Sequence, residues 1–478
     1  MRYPMQLCIL LPTLFSFPFT ASALPAKRHD KPPVCIIGAG PAGLTAAARL
    51  EAKGIEAVVF DKQSELGGKC QSYYSEEGIF HPLGAAFFSN GTYPETVKVV
   101  DDSGVSIEEF ALAGARQQFF FNVTTGAIKP VPALTASFQQ QIASEIPRYI
   151  QLWNRDFAPI STTYFQRGVP KAFTVSGAEW FRSNNFTALP IIAVNPLALY
   201  GYGDINLVPA LYVLKYLTPD LLTGAIGQHP VYYTDFHKVF EKWAEKRLCK
   251  TPIKLSHEVR CIDRSEKNPV IKYTKPHGNF YKWGKQECDS LIFAFPPTIA
   301  NLERTGLDIT EEEYEVFKDV EIMNYYSSAV ELALPFGVSY IAKSASPDVP
   351  PPNNGEPVAV LRLSAKSNIS TAWSWGPYEE FQAESTALDL LNTTLSLINK
   401  DPRNATTAPV PLRKDQVRAF RKWDYFPHFD TEPLRNGAYA KLNRLQGCNK
   451  SFWVSGLAGM ELVEWAIRAG QDIVEMYY

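Results

Sequence analysis

The chain is 478 residues long with a formal net charge of −2, and 46% of its residues are hydrophobic and 20% charged. That length is too great for one simple core and predicts two domains or one discontinuous pair, with ample material for a buried site. A charge so near zero, with no basic run or aromatic-basic stripe to offset it, leaves no electrostatic case for a nucleic-acid partner.

Residues Met1 to Ala23 carry one basic side chain, Arg2, then an apolar stretch from Leu7 to Phe19 and the small-residue run Ala21-Ser22-Ala23. The pattern reads as a secretory signal peptide over 1–23, cleaved after Ala23, with Lys27-Arg28 as a second processing point. Its apolar run falls short of the ~20 residues that cross a bilayer, so no stable membrane span is expected. Acceptor sequons at Asn90, Asn122, Asn185, Asn368, Asn392, Asn404 and Asn449 agree with a secreted, N-glycosylated product. Without the leader the cysteines are Cys35, Cys70, Cys249, Cys261, Cys288 and Cys448; they can pair in an oxidising compartment, in a connectivity that spacing does not determine. None forms a Cys-x-x-Cys pair and no histidines stand at metal-ligand spacing, so no metal is expected.

In chain order, Val34 to Ile37 is a buried-strand signal and Leu44 to Lys53 a helix signal, with Gly38-Ala39-Gly40-Pro41-Ala42-Gly43 between them. Gly38 permits the tight turn, Gly40 lets backbone approach a pyrophosphate, and Gly43 lets helix and strand pack closely, with phosphates facing the positive helix N-terminus. Gly38, Gly40, Ala42 and Gly43 are therefore cofactor-binding candidates. A second strand, Ala57 to Phe60, leads to Asp61, 23 residues past Gly38, where a carboxylate accepts hydrogen bonds from a ribose. Gly67-Gly68-Lys69 follows. Gly78 to Ala86 reads as a strand and a small-residue turn, with backbone at Gly84 and Ala85 able to approach a flat ring.

From Phe110 to about Tyr233 the signals are mixed, with helices at Ala133 to Leu152 and Pro209 to Leu217 and no second glycine-rich turn, which assigns the region to substrate. Ile253 to Leu255, Glu258 to Asp263, Val270 to Tyr273 and Ser290 to Pro297 predict a hairpin and a buried strand returning to the nucleotide unit. Thr310 to Asp319 reads as helix, Ser327 to Arg362 as strands around a loop at Pro347 to Pro352, and Asp401 to Pro411 as loop. Phe452 to Gly456 is a strand entering a turn, and Met460 to Tyr478 an amphipathic helix. The expected organisation is an α/β Rossmann-like dinucleotide-binding domain in three pieces, 31–110, 241–305 and 416–478. It interleaves with an α+β substrate domain at 111–240 and 306–415.

The Glu65-Leu66-Gly67-Gly68-Lys69 turn resembles that of amine-oxidase and glutathione-reductase-like flavoproteins, which makes FAD the expected dinucleotide. Gly38 to Gly43, Gly67 to Cys70, and Val463-Glu464-Trp465-Ala466 before Gly470 together resemble the FAD-dependent amine-oxidase superfamily over nearly the whole mature chain. Asn195-Pro196, Gly201-Tyr202-Gly203, Val208-Pro209-Ala210, Tyr212 to Leu217 and Tyr425-Phe426-Pro427-His428 resemble bacterial polyenoic fatty acid isomerase. A secreted, glycosylated chain of this size with these motifs also resembles the beta-cyclopiazonate dehydrogenase family, flavoenzymes of secondary metabolism, and that family is the best match by resemblance.

The resemblance implies that Gly38, Gly40, Gly43, Asp61, Lys62, Gly68 and Lys69 hold the ADP half and ribityl chain. It places Gly84 and Ala85 beside the isoalloxazine, Val259 against adenine, and Gly456 with Val463 at the pyrimidine end, where the last helix's dipole favours negative charge. Two departures stand out. Leu457 follows Gly456 where many relatives have an acid, and Leu462 occupies the place of the amine oxidases' cage tyrosine. The implied reaction is hydride removal from a C–H bond of an apolar or amphiphilic small molecule, with oxidative cyclisation of a prenylated indole-tetramate such as beta-cyclopiazonate and an external electron acceptor. Fatty acid double-bond isomerisation, amine oxidation and a flavin-free glycoprotein are the alternatives. Arg116 is a candidate partner for an anionic group, Tyr202 and Tyr425 for pocket walls, and His428 and His81 for acid-base groups, with His81 also a candidate flavin tether.

Overall fold

Five short parallel strands order the nucleotide half of the molecule. In a computed structural model that describes residues 31–111, 116–278, 280–342, 353–377 and 382–478, they run Ile253–Lys254, Ala57–Phe60, Val34–Ile37, Leu291–Phe293, Ser451–Trp453 across the sheet. The leader, Lys27-Arg28, Ala115 beside Arg116 and the Pro347 to Pro352 loop lie outside the described residues, as do the side chains of Asn195 and Pro196. Strands covered on both faces must be apolar throughout, and the central three are buried along their whole length. Cys35 and Cys288 form a disulfide that joins the Val34–Ile37 strand to the chain entering its neighbour, with Cα atoms 5.6 Å apart.

The Pro41–Ala52 helix packs against the last helix, Val463–Tyr477. Thr45 Oγ1 donates to Ile467 O at 3.2 Å and Lys53 Nζ to Val474 O at 3.2 Å, so two chain ends more than 400 residues apart share one layer. The last helix begins at Val463, not Met460, because Gly456–Ala458 forms its own 3-10 turn and Leu462 is extended.

A seven-stranded sheet forms the other half, in the order Val417–Phe429, Val320–Glu331, Ile369–Pro377, Pro357–Leu361, Val338–Ala342, Gln117–Phe121, Ile128–Pro130. The expected boundary at 416 is corrected here. Val417–Phe429 pairs with Val320–Glu331 from Val417 opposite Val330 to Phe429 opposite Val320, and the chain rejoins the nucleotide sheet only at Ser451. Trp423, Phe426 and Phe429 are buried by that pairing. Helix Leu189–Leu199 packs on the strands Pro357–Leu361 and Ile369–Pro377. The helix expected from Ala133 starts at Ala136, where Thr135 accepts the Phe138 N–H at 3.3 Å. Glu311–Phe317 starts after a capping box of Thr310 and Glu313. A third sheet, Glu258–Asp263, Val270–His277 and Phe280–Glu287, extends from the nucleotide half as an antiparallel meander.

Candidate functional site

One continuous cleft of about 1640 Å³ runs between the two halves. Its nucleotide end is built mostly from backbone. Gly38 sits at φ +116°, and a Cβ there would stand 2.5 Å from Ala294 O, so both conformation and space require glycine at the turn. Gly38, Gly40 and Ala42 line the cleft, whereas Gly43 lies behind it, packed on the Gly38 carbonyl. Asp61 stands at the cleft where its strand ends, with Oδ2 accepting the Ala39 N–H at 2.6 Å and Oδ1 the Gln63 N–H at 2.8 Å. Burial raises its carboxyl above the ordinary value, against the opposing pull of those two donors. Lys62, Gly68, Lys69, Val259, Gly456 and Val463 line the same cleft, Val463 at the N-terminus of the last helix.

The small-residue turn has a more specific cause than access for a flat ring. A Cβ on Gly84 would lie 1.7 Å from Lys69 O, and the next residue, Ala85, donates its N–H to that carbonyl at 3.2 Å. Gly84 thus lets two cofactor-end segments touch, and Gly84, Ala85 and Ala86 together form cleft wall.

Sequence reasoning missed Glu461. With Leu457 buried after Gly456, an acid enters from five residues further on: Glu461 lines the cleft, and its Oε2 accepts from Lys69 Nζ at 2.9 Å. The same carboxylate lies against Gly456, where a Cβ would come within 2.8 Å of Oε2. Tyr202 Oη donates to the Glu461 carbonyl at 2.9 Å, Tyr425 Oη donates to Tyr202 Oη at 3.1 Å, and the Tyr325 ring stacks on Tyr425 with centroids 4.7 Å apart. Burial holds the Tyr202 and Tyr425 phenols well above their ordinary values, so both remain donors rather than bases. Glu464, at the start of the last helix and also on the cleft, accepts the Thr96 N–H at 2.7 Å and Arg468 Nε at 2.6 Å, tying that helix to Pro94–Ser103. The only signal for Glu461 was a second acid ahead of Glu464 in the helix-entry segment.

Toward the seven-stranded sheet the cleft becomes an apolar and aromatic chamber with Phe110, Phe138, Tyr200, Leu217, Tyr325 and Trp373 among its walls. Arg116 belongs to this chamber. Its guanidinium lies 4.3 Å from the Phe110 ring centroid, its buried Nε has no hydrogen-bond partner, and no described carboxylate lies within 4.0 Å. Burial lowers its pKa while the neighbouring Tyr200 and Tyr233 pull the other way, and a guanidinium in such a place stays charged. A half-buried cation with no counter-ion among the described residues is chemically suited to an anion.

Two histidine candidates fall outside the cleft. His428 is buried with its ring stacked on Phe426 at 4.2 Å, its Nδ1 within 2.8 Å of Phe426 O and its Nε2 3.8 Å from Asp430, so it belongs to the packing beneath the chamber. His81 is fully buried with Nε2 3.1 Å from Ser367 Oγ and does not line the cleft, which removes the geometric basis for a flavin tether. His81 lies in the strand Phe80–Pro82, none of whose residues lines the cleft.

The model for an NAD(P)-binding Rossmann-like domain matches residues 36–103. Over nearly full length the chain is 23% identical to an uncharacterized protein of Acanthamoeba polyphaga mimivirus, covering 95% of this chain and 94% of that one. It is 25% identical to an FAD-dependent oxidoreductase of Apiospora sacchari, over 96% and 93% of the two chains. It is 23% identical to a beta-cyclopiazonate dehydrogenase of Aspergillus flavus, over 88% and 87%. Among solved structures, a CLA-producing fatty acid isomerase from P. acnes superposes with a TM-score of 0.75 at 20% identity, covering 94% of this chain and 99% of that one. The fold is that of this flavoprotein group.

Proposed function

We propose that this chain, an FAD-dependent oxidoreductase, removes a hydride from a C–H bond of an amphiphilic small molecule bearing an acidic group, in an oxidative cyclisation such as that of a prenylated indole-tetramate like beta-cyclopiazonate. One observation carries the reading: the chamber that opens from the dinucleotide end of the cleft is aromatic and contains a cation, Arg116, with no counter-ion among the described residues. Bound FAD supplies the hydride acceptor. Gly38, Gly40, Gly68 and the Pro41–Ala52 helix N-terminus suit a pyrophosphate, Asp61 a ribose, and Lys69 with Glu461 the chain between the two ends. Arg116 pairs with the substrate's anion and fixes which carbon faces the cofactor, while the aromatic walls exclude water. Tyr202 and Tyr425 brace Glu461 from the chamber side.

Secretion is part of the proposal and is supported by the Cys35–Cys288 disulfide and by exposed sequon asparagines at 90, 122, 185, 368, 404 and 449. Fatty acid double-bond isomerisation is the second reading, favoured by the likeness to the isomerase fold and by the same chamber and cation. The two differ in electron balance. An isomerase returns its hydride to the substrate, whereas a dehydrogenase stops after one turnover without an external acceptor.

The test is an anaerobic titration of the holoprotein, once with beta-cyclopiazonate and once with a polyunsaturated fatty acid. Stoichiometric, lasting bleaching of the flavin bands by the first supports the dehydrogenase reading. Turnover of the second with the spectrum returning to the oxidised form overturns it in favour of the isomerase.

A further inference from the structure

The sequence expectation of no aromatic-basic stripe fails at one place. Strand Phe280–Glu287 is the outer strand of the three-stranded sheet, and it exposes Phe280, Tyr281 and Trp283 to 77%, 76% and 61%. Three large aromatics in four residues, on an edge with no strand beyond it among the described residues, are not a scatter of isolated apolar side chains.

Register places them among lysines. Pro276 pairs with Tyr281, Thr274 with Trp283 and Lys272 with Lys285, so on one face the two aromatics run into two ammoniums. On the other face His277 is opposite Phe280 and Lys275 opposite Lys282. Among the described residues none of these four lysines forms an ion pair within 4.0 Å, although Asp263 feels Lys272 and Lys285 at longer range. Residues 270–287 contain four lysines and one acid, Glu287, a charge of +3; the whole chain is −2, so the remainder carries −5. The hairpin thus carries a local net positive charge beside its exposed aromatics.

We propose that this hairpin docks the protein on a bilayer surface containing anionic lipid. Tyr and Trp favour the headgroup region, where an amphipathic ring keeps its polar edge wet, and each lysine near such a surface adds attraction that salt screens. The remainder, with a net charge of −5, is not drawn to the same surface, which favours approach hairpin first. The geometry also connects the surface to the cleft: Val259 at the cleft is paired with Tyr273, and Tyr273 with Gly284 beside Trp283. Two strand spacings, about 10 Å, separate them.

The experiment is co-sedimentation of the intact holoprotein with vesicles of phosphatidylcholine alone or with about one third phosphatidylserine. It compares the wild type with Tyr281→Ser/Trp283→Ser and with Lys282→Glu/Lys285→Glu. Wild type should bind the anionic vesicles at low salt and release with rising salt. Each double variant should bind at least about tenfold more weakly while keeping an unchanged flavin spectrum, the check that it is folded. No binding by wild type, equal binding by both variants, or retention of the wild type on an insoluble glycan or a protein partner instead of vesicles would overturn the proposal. A variant that loses flavin is replaced by the other, since aromatic and charge changes perturb the strand differently.

Discussion

The cofactor end and the substrate chamber occupy one cleft but are built on opposite plans. At the cofactor end, turns hold the backbone: Gly38 beneath Ala294, Gly84 against Lys69 O, Asp61 closing on the Ala39 N–H. In the chamber, side chains from distant elements meet, with Phe110, Tyr200, Tyr325 and Trp373 arriving from four separate segments to line the space that also holds Arg116. The first plan binds a ligand that never changes and tolerates little substitution. The second selects a guest and can be altered residue by residue.

That contrast is broken most sharply by Gly84→Val. A side chain 1.7 Å from a carbonyl cannot be accommodated without parting the two segments, so the variant should purify without flavin while retaining secondary structure by circular dichroism. Bound flavin equal to wild type would mean that the turn is not part of the cofactor wall.

Acid should reveal the buried histidine behind that turn. Burial lowers the His81 pKa to about 4, with Glu77 pulling weakly upward, against an ordinary 6.5. The unfolded chain therefore takes up a proton near 6.5 that the folded protein refuses until about 4. Stability is complete above that window and is lost as pH falls through it, by at most about 3 kcal/mol. Burial depresses His428 in the same direction. Urea midpoints measured between the two pH values should fall for wild type and fall less for His81→Gln; parallel curves would contradict the assignment.

Glu461→Ala leaves the Lys69 ammonium, itself mostly buried, without its partner. It should weaken FAD binding by about 2 kcal/mol, roughly thirtyfold, with Glu461→Gln less affected. Dissociation constants from apoprotein reconstitution provide the measure, and equal affinities would return Glu461 to a purely structural place.

In the chamber, Arg116→Ala should raise KM for an acidic substrate by about tenfold to a hundredfold, the strength of a charge-assisted pair, and leave a neutral ester analogue nearly unchanged. Equal effects on both would remove the anion role. The smallest effect belongs to His428→Gln, which should leave kcat within about twofold, because the ring packs on Phe426 rather than on the cleft.

The same contrast explains what the sequence disclosed. Backbone-built sites leave a linear signature, since Gly38 to Gly43, Asp61 and Gly67-Gly68-Lys69 do their work within 32 residues of chain. Side-chain-built sites do not. Tyr325 and Trp373 read only as strand residues, and Glu461 was hidden because the acid expected directly after Gly456 arrives from a shortened helix entry. His428 lay in a matching motif yet points into packing, since a motif fixes position along the chain and not the face presented. Val417–Phe429 was assigned to the wrong half for a related reason: an apolar strand does not announce which sheet will accept it.

The proposed seat of FAD is the backbone cradle from Gly38 to Lys69, closed by Glu461 and the last helix. Visible absorption of the purified, folded chain, followed by acid precipitation, tests it most directly. Yellow protein whose colour passes entirely into the supernatant as FAD is the expected result, since His81, the candidate tether, does not line the cleft. Colourless protein that also fails to take up added FAD in a calorimeter would contradict it.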